Sequence, residues 1–240
     1  MKSVKIRRRI KNSFYRLGGH RFFSWLLNAL LHFAYLIKAS KWISKHRDIP
    51  FNDFYSAQRD YSKRYDLFEF INANQILADE LIYLEFGVAQ GKSMMWWLDN
   101  HINPRSEFHG FDTFTGLPEK WGHFEKGDMT NKDQFPTIND NRCVFHKGLF
   151  QETLPGFLNK LERDDKKMIV HLDADLYSST LFVLTSIYPF LKSGDILLFD
   201  EFNVPLHEFK AWEDFAESYH VHYEVLAATN NYYQVAIKLK

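Results

Sequence analysis

Only one cysteine, Cys143, occurs in 240 residues, so the chain can form no intramolecular disulfide and no cysteine-built metal site. That scarcity fits a reducing, cytoplasmic compartment. Acidic side chains are missing from the first 47 residues, which hold six lysines and six arginines. The zero net charge is therefore a sum of opposites: +12 in residues 1–47, against 18 basic and 30 acidic side chains in the rest. The uncharged run Phe22–Ile37 has sixteen residues, interrupted by Ser24, Asn28 and His32, fewer than the roughly 20 a spanning helix requires. It lacks a small-residue cleavage pattern, which argues against a signal peptide. Internal repeats and low-complexity segments are absent. The basic cluster, six residues between Lys2 and Lys11, comes with no nucleic-acid-binding module, so no nucleic-acid partner is expected.

What is present suits one α/β domain with an appendage, not two full domains. Apolar residues at 45% and charged residues at 25% are ordinary for a globular protein. Aromatics at 17% suit deep packing or stacking on flat ligands. Residues 1–50 read as a basic, aromatic-rich helical extension and 51–240 as the main domain. Two readings of the extension stay open. It is an amphipathic helix on an anionic membrane surface, at the inner face of the membrane, or an appendage packed on the main domain or on a second subunit of a homo-oligomer.

From about Pro50 the composition is balanced. Asp53–Ala78 has helical spacing, with Phe54, Ala57, Tyr61, Tyr65, Phe68 and Ile71 recurring every three or four residues. Strands are expected at Leu81–Phe86, Glu107–Phe111, Arg142–His146, Met168–Leu172, Asp195–Phe199, Tyr223–Leu226 and Tyr232–Leu239. Helices are expected at Lys92–His101, Thr153–Leu161, Ser178–Leu191 and Pro205–Tyr219. This alternation predicts a Rossmann-like α/β fold with a mostly parallel sheet of seven strands. The short link between the last two makes them an antiparallel hairpin. Asp112–Asn141 is long and turn-rich, as lids and binding loops are.

The first strand closes with Leu84-Glu85-Phe86-Gly87-Val88-Ala89-Gln90-Gly91-Lys92-Ser93. A glycine turn between strand and helix lets backbone approach a ligand closely. A P-loop, G-x-x-x-x-G-K-[ST], would need its first glycine where Phe86 stands. The dinucleotide fingerprint G-x-G-x-x-G fails at Ala89. Ile196–Glu201 still mimics the acidic strand of an ATPase, so a P-loop-like nucleotide hydrolase remains an alternative. An acid closing the strand fits another ligand better: Glu85 would organise the loop and face the positive amino and sulfonium end of S-adenosylmethionine. Asp112 closes the second strand 25 residues after Gly87, where an acid holds ribose hydroxyls in doubly wound folds. Each alone would pass for a solvated strand-end carboxylate. The expected donor-binding set is Glu85, Gly87, Gly91, Ser93, Asp112 and Thr113.

The fourth strand ends in Asp173-Ala174-Asp175 and the fifth in Asp200-Glu201. Ligands of open parallel sheets sit outside the carboxyl ends of the strands, where these four acids converge. Such a cluster repels itself unless a cation or shared protons relieve it, and all-oxygen ligation suits Mg²⁺, Ca²⁺ or Mn²⁺. A divalent ion lowers the pKa of a bound hydroxyl, and a spare carboxylate takes the proton. Asp175 and Glu201 would otherwise cap the helices that follow. His171, within a strand, reads as a packed core histidine, and His207 as a wall of the acceptor site.

With these residues, the sequence resembles the TylF-type sugar O-methyltransferases, named for macrocin O-methyltransferase and including aminocoumarin sugar methyltransferases. The matching segments are Glu85-Phe86-Gly87-Val88 with Gly91, Phe111-Asp112-Thr113-Phe114-Thr115-Gly116-Leu117-Pro118 and Gly148-Leu149-Phe150. Thr153-Leu154-Pro155, Leu172-Asp173-Ala174-Asp175-Leu176-Tyr177 and Asp200-Glu201 follow in order. The resemblance covers about residues 80–205. It implies a class I methyltransferase fold, S-adenosyl-L-methionine as donor, Mg²⁺ as cofactor and a small-molecule or saccharide acceptor. By position, Asp173, Asp200 and Glu201 would hold the metal, Asp175 would be the general base, and Gly148 and Phe150 would border the adenine. Glu201 departs from the aspartate usual there, with its oxygens one methylene further out. A non-catalytic, membrane-associated partner protein is the remaining alternative.

Overall fold

A computed structural model of the chain describes residues 2–76 and 79–240. Two helices lead, α1 (Lys2–Arg16) and α2 (His20–Lys45), divided at Gly18, whose φ of +64° makes the turn. There follow β1 (Phe51–Asn52), α3 (Lys63–Ile71), β2 (Leu81–Phe86), α4 (Lys92–Asn100), β3 (Glu107–Asp112), β4 (Cys143–Lys147) and α5 (Phe150–Leu158). The chain ends with β5 (Lys167–Leu172), α6 (Tyr177–Ile187), β6 (Ile196–Phe199), α7 (Glu208–Ser218), β7 (Tyr223–Thr229) and β8 (Gln234–Leu239).

The strands form one sheet in the order β1-β7-β8-β6-β5-β2-β3-β4. Every pairing is parallel except those of β8, which is antiparallel to both β6 and β7. After β1 at the far edge, the chain enters near the centre at β2, works outward to β4, then returns to the other side of β2 with β5. The order therefore reverses between β2 and β5, and a crevice opens at such a point beyond the carboxyl ends of the strands.

Parallel strands covered on both faces bury every side chain. All six residues of β2 are buried. Ile82, Leu84 and Phe86 join Val170, Leu172 and Phe199 under α5, α6 and α7. Leu81 and Tyr83 face the other way, with Ile169 and Leu198, under Phe68 of α3 and Trp97 of α4. The far end of α2 belongs to the first layer. Trp42 is buried there, lies 4.7 Å from the Phe202 ring and donates to the Tyr223 hydroxyl at 2.9 Å.

Three expectations are corrected. Among the described residues the sheet has eight strands, not seven; the extra one, β1, is two residues long, too short for alternation to reveal. Asp53–Tyr61 is not helical, because side chains claim its backbone. Asn52 Oδ1 accepts from the Phe54 N–H, Asn231 Oδ1 from Ser56 and Asn230 Oδ1 from Asp60, at 2.8–2.9 Å, and such bonds compete with helix. Ala78 lies outside the described residues. Finally, α2 has 26 residues and is long and apolar enough to cross a membrane by length and composition, which the sixteen-residue run alone is not.

Candidate active site

A cavity of about 690 Å³ opens at the β2/β5 switch point. Its floor comes from strand tips and its roof from the long loop, through Gly116–Glu119 and Met129–Asn131. Glu119 Oε1 accepts from the Ser178 hydroxyl at 2.6 Å, tying this loop to the start of α6.

Gly87 holds the two central strand ends together. Its φ is +93°, and a Cβ there would lie 1.8 Å from the Asp173 carbonyl oxygen. Only glycine permits that approach. The turn beyond it is clamped by Asp112, whose Oδ2 accepts from the Val88 and Ala89 N–H groups at 2.8 Å each. Asp112 Oδ1 accepts from Phe114 at 2.7 Å. Asp112 thus shapes the loop as well as lining the cavity.

Of the expected donor-binding residues, Glu85, Gly87, Ser93, Asp112, Thr113 and Phe150 all line this cavity. Gly91 and Gly148 do not. Gly91 starts α4 in a left-handed conformation, close under Pro136. Gly148 donates its N–H to the Asp112 carbonyl at 3.0 Å. Glu85 is buried at the cavity floor, where Tyr83 donates to it at 3.0 Å. Burial pushes its carboxyl up to about 8, so it holds a proton at neutral pH until a cation arrives beside it.

Asp173, Asp175 and Glu201 also line the cavity, while Asp200 is buried beneath it. Asp175 sits at φ +56°, a left-handed conformation more common for aspartate than for most residues. Burial, then the Glu201 charge, pushes its carboxyl up to about 8. Burial also raises Asp173, helped by Asp200 and Asp175, and it raises Glu201 and Glu208. Five acids so close share protons and whatever cation is at hand.

That cation is Arg64, from α3. Its guanidinium forms an ion pair with Asp200 Oδ2, lies 3.8 Å from Asp173 Oδ2 and donates to Ser93 Oγ at 3.2 Å. Tyr61 covers it, with the ring 3.8 Å away, and donates to the same Asp200 oxygen at 2.6 Å. Gln234 Nε2 donates to Asp200 Oδ1 at 3.2 Å. Glu201 turns elsewhere. Its Oε1 accepts from the Tyr233 hydroxyl, and its Oε2 is buried without a hydrogen-bond partner.

The structure therefore does not gather Asp173, Asp200 and Glu201 around one point. Among the described residues, the acids and histidines whose ligand atoms all lie within 4.8 Å are His171, Asp173 and Asp200. Arg64 already touches two of them, and His171 Nδ1 is hydrogen-bonded to the Tyr83 hydroxyl, 2.7 Å away. Mg²⁺ demands near-octahedral oxygen ligands at about 2.0–2.1 Å; the residues present fit a guanidinium instead. His171 is a fully buried core histidine, pushed down to about 4 by burial. His207 packs edge-on against Trp121 of the long loop and is not among the residues lining the cavity.

Sequence reasoning missed Tyr61, Arg64, Tyr233, Gln234 and Glu208. Nothing local marks them, since an arginine in an amphipathic helix reads as a solvated charge. In the chain, Arg64 is 5% exposed.

The sequence profile of macrocin O-methyltransferase matches residues 61–233, from Tyr61 to Tyr233 of this site. The chain belongs to the TylF family. As a TylF-family enzyme it is an S-adenosylmethionine-dependent O-methyltransferase. Solved structures of the same fold include CalS11, a calicheamicin methyltransferase, at 22% identity and a TM-score of 0.56. That match covers 75% of this chain and 78% of the other. The apo form of CalS11, described as a TDP-rhamnose 3′-O-methyltransferase, matches at 20% identity over 85% and 93% of the two chains, with a TM-score of 0.51. The O-methyltransferase NovP matches at 19% identity over 75% and 79%, also at 0.51. Comparison with curated proteins gives no match. These identities speak to the fold, and the family assignment rests on the profile.

Proposed function

We propose that this TylF-family enzyme transfers a methyl group from S-adenosylmethionine to a hydroxyl of a saccharide-containing acceptor, with Asp175 as the general base. The carrying observation is that Glu85, Asp112, Asp173 and Asp175 open onto one cavity beside the Gly87 turn. These residues fit the donor: Glu85 would offer a carboxyl to its cationic end, Asp112 would hold the ribose, and Phe150 would supply an apolar wall for the adenine. When bound, the donor supplies a methyl group on a sulfonium sulfur, whose C–S bond breaks as the acceptor oxygen forms its C–O bond. Asp175 takes the proton that the hydroxyl gives up. The sugar acceptor is supported by the similarity to CalS11, a TDP-rhamnose 3′-O-methyltransferase. Magnesium, which the sequence resemblance implies, has no part in this reading, because Arg64 stands between Asp173 and Asp200.

Titration calorimetry with S-adenosylhomocysteine tests the donor assignment. We expect one-to-one binding, weakened about tenfold or more in Asp112→Ala, which loses its ribose acceptor and leaves three loop N–H groups unpaired. Absence of binding, or binding of a nucleoside triphosphate in its place, defeats the reading.

A second reading concerns where the enzyme works. Ser24, Asn28 and His32 lie on the helical face that continues into Tyr35, Ala39 and Trp42, which pack on the domain. Around the rest of the first half of α2 the large apolar side chains are open to solvent, with Trp25 77%, Phe22 67% and Phe33 62% exposed. This exposed part of the helix, flanked by Arg7, Arg8, Arg9 and Lys11, complements an anionic bilayer surface. A lipid-carried saccharide would unite both readings. Full-length protein should bind phosphatidylserine vesicles and come off at high salt. Arg7→Ala/Arg8→Ala/Arg9→Ala should bind about a hundredfold more weakly, at about 1 kcal/mol per lost charge. Equal binding of the variant, or a stable dimer with Trp25 shielded, rules out the surface reading.

A further inference from the structure

We propose that Arg64 is the resident cation of the acid cluster, occupying the place where a divalent ion would bridge Asp173 and Asp200. Three observations carry this. First, the seat is built for a guanidinium: Ser93 Oγ and Asp200 Oδ2 receive two of its nitrogens, and the Tyr61 ring covers its face. An arginine fork suits such planar, two-point recognition where a point charge does not. Second, Asp200 has little left to offer a metal. One oxygen takes Arg64 and Tyr61, the other takes Gln234. Third, Glu201, the remaining acid of the expected set, gives Oε1 to the Tyr233 hydroxyl and lies outside the group whose ligand atoms come within 4.8 Å of one another.

The consequence is a division of labour. Arg64 offsets the charge of Asp173 and Asp200 in the buried layer, which leaves Asp175 and Glu201 facing the cavity above it. Arg64 is a positioning residue for the base, acting through Asp173 and Asp200. A divalent ion entering the same place would face a like charge a few ångströms away.

The inference rests on the proposed transferase site, yet it can be tested without any transfer. Mn²⁺ titrations followed by electron paramagnetic resonance, on full-length protein saturated with S-adenosylhomocysteine, read the seat directly. Wild-type protein should show no specific Mn²⁺ site. Arg64→Ala, or Arg64→Met where the volume must be kept, should bind one Mn²⁺ at least about tenfold more tightly. Changing Asp173→Asn in the Arg64→Ala background should abolish that gain. A specific Mn²⁺ site in the wild type overturns the inference, as does a folded neutral variant that gains none. Should both neutral variants fail to fold, the wild-type titration decides alone. Failure here leaves donor binding untouched, whereas failure of the donor titration would remove the transferase reading itself.

Discussion

Asp175→Asn should cost about 10²- to 10⁴-fold in kcat, the usual contribution of a positioned general base, while S-adenosylhomocysteine binds as before. Asparagine keeps the shape of the side chain and, like aspartate, tolerates the left-handed backbone at φ +56°, so the variant folds. Only the proton acceptor is removed. The wild-type pH profile carries the same signature. With the Asp175 carboxyl pushed up to about 8 by burial and by Glu201, the fraction of base in working form falls about tenfold per unit below that value. kcat/KM should therefore climb up to about pH 8 and then level, and the Asn variant should lack that limb. Stability runs the opposite way. The folded protein holds a proton on Asp175 that the unfolded chain releases near its ordinary value of 3.8. Between about pH 4 and 8 the native state binds more protons, so this group's contribution is complete below that window and lost as pH rises through it. A wild-type rate that is flat from pH 6 to 9, or an Asn variant of undiminished kcat, would remove Asp175 from the role of base.

The acids of this site were legible because β-then-α alternation puts all carboxyl ends of parallel strands on one edge. Glu85, Asp112, Asp173, Asp175 and Glu201 each close a strand or begin the loop beyond it, and each lines the cavity. What happens between the acids was not legible. Asp200 reads like its neighbours in sequence, yet it lies one layer deeper, bonded to Arg64, Tyr61 and Gln234. Arg64 comes from α3, 136 residues earlier, Tyr61 from the irregular stretch just before α3, 139 residues earlier, and Gln234 from β8, 34 residues later; no local pattern connects them. The irregular stretch before α3 was hidden for a similar reason. Its apolar spacing is helical, but Asn230 and Asn231, in the turn between β7 and β8, claim its N–H groups. Periodicity reports which face is apolar, not which distant amide competes for the backbone. The N-terminal extension was legible in outline, since twelve uncompensated positive charges need no fold to be counted. The anchoring of α2 by Trp42 needed the folded β7–β8 hairpin.

Gly87→Ala should damage donor binding and turnover together, which separates it from Asp175→Asn. The new Cβ would stand 1.8 Å from the Asp173 carbonyl oxygen, and real Cβ contacts essentially never fall under 3.0 Å. The β2 and β5 ends must then part by more than an ångström. Two backbone bonds resist, Gly87 N–H to Phe111 and Asp173 N–H to Phe86, both 3.0 Å, and alanine at φ +93° adds about 1–2 kcal/mol of its own strain. The displacement cannot stay on one side. It moves the turn that carries the donor, and it moves Asp173 and the Asp175 that follows. A misplacement of about 1 Å between reacting groups costs about 10²-fold, so kcat should fall by at least that much. S-adenosylhomocysteine affinity and melting temperature should fall with it. Ala89→Gly is the matched control, because Ala89 already sits at φ +46° in the same turn; glycine there relieves strain and should leave both readouts intact. If Gly87→Ala bound the nucleoside normally and lost only turnover, the donor turn would be independent of the β5 tip. The two halves of the site would then not be held by this one contact.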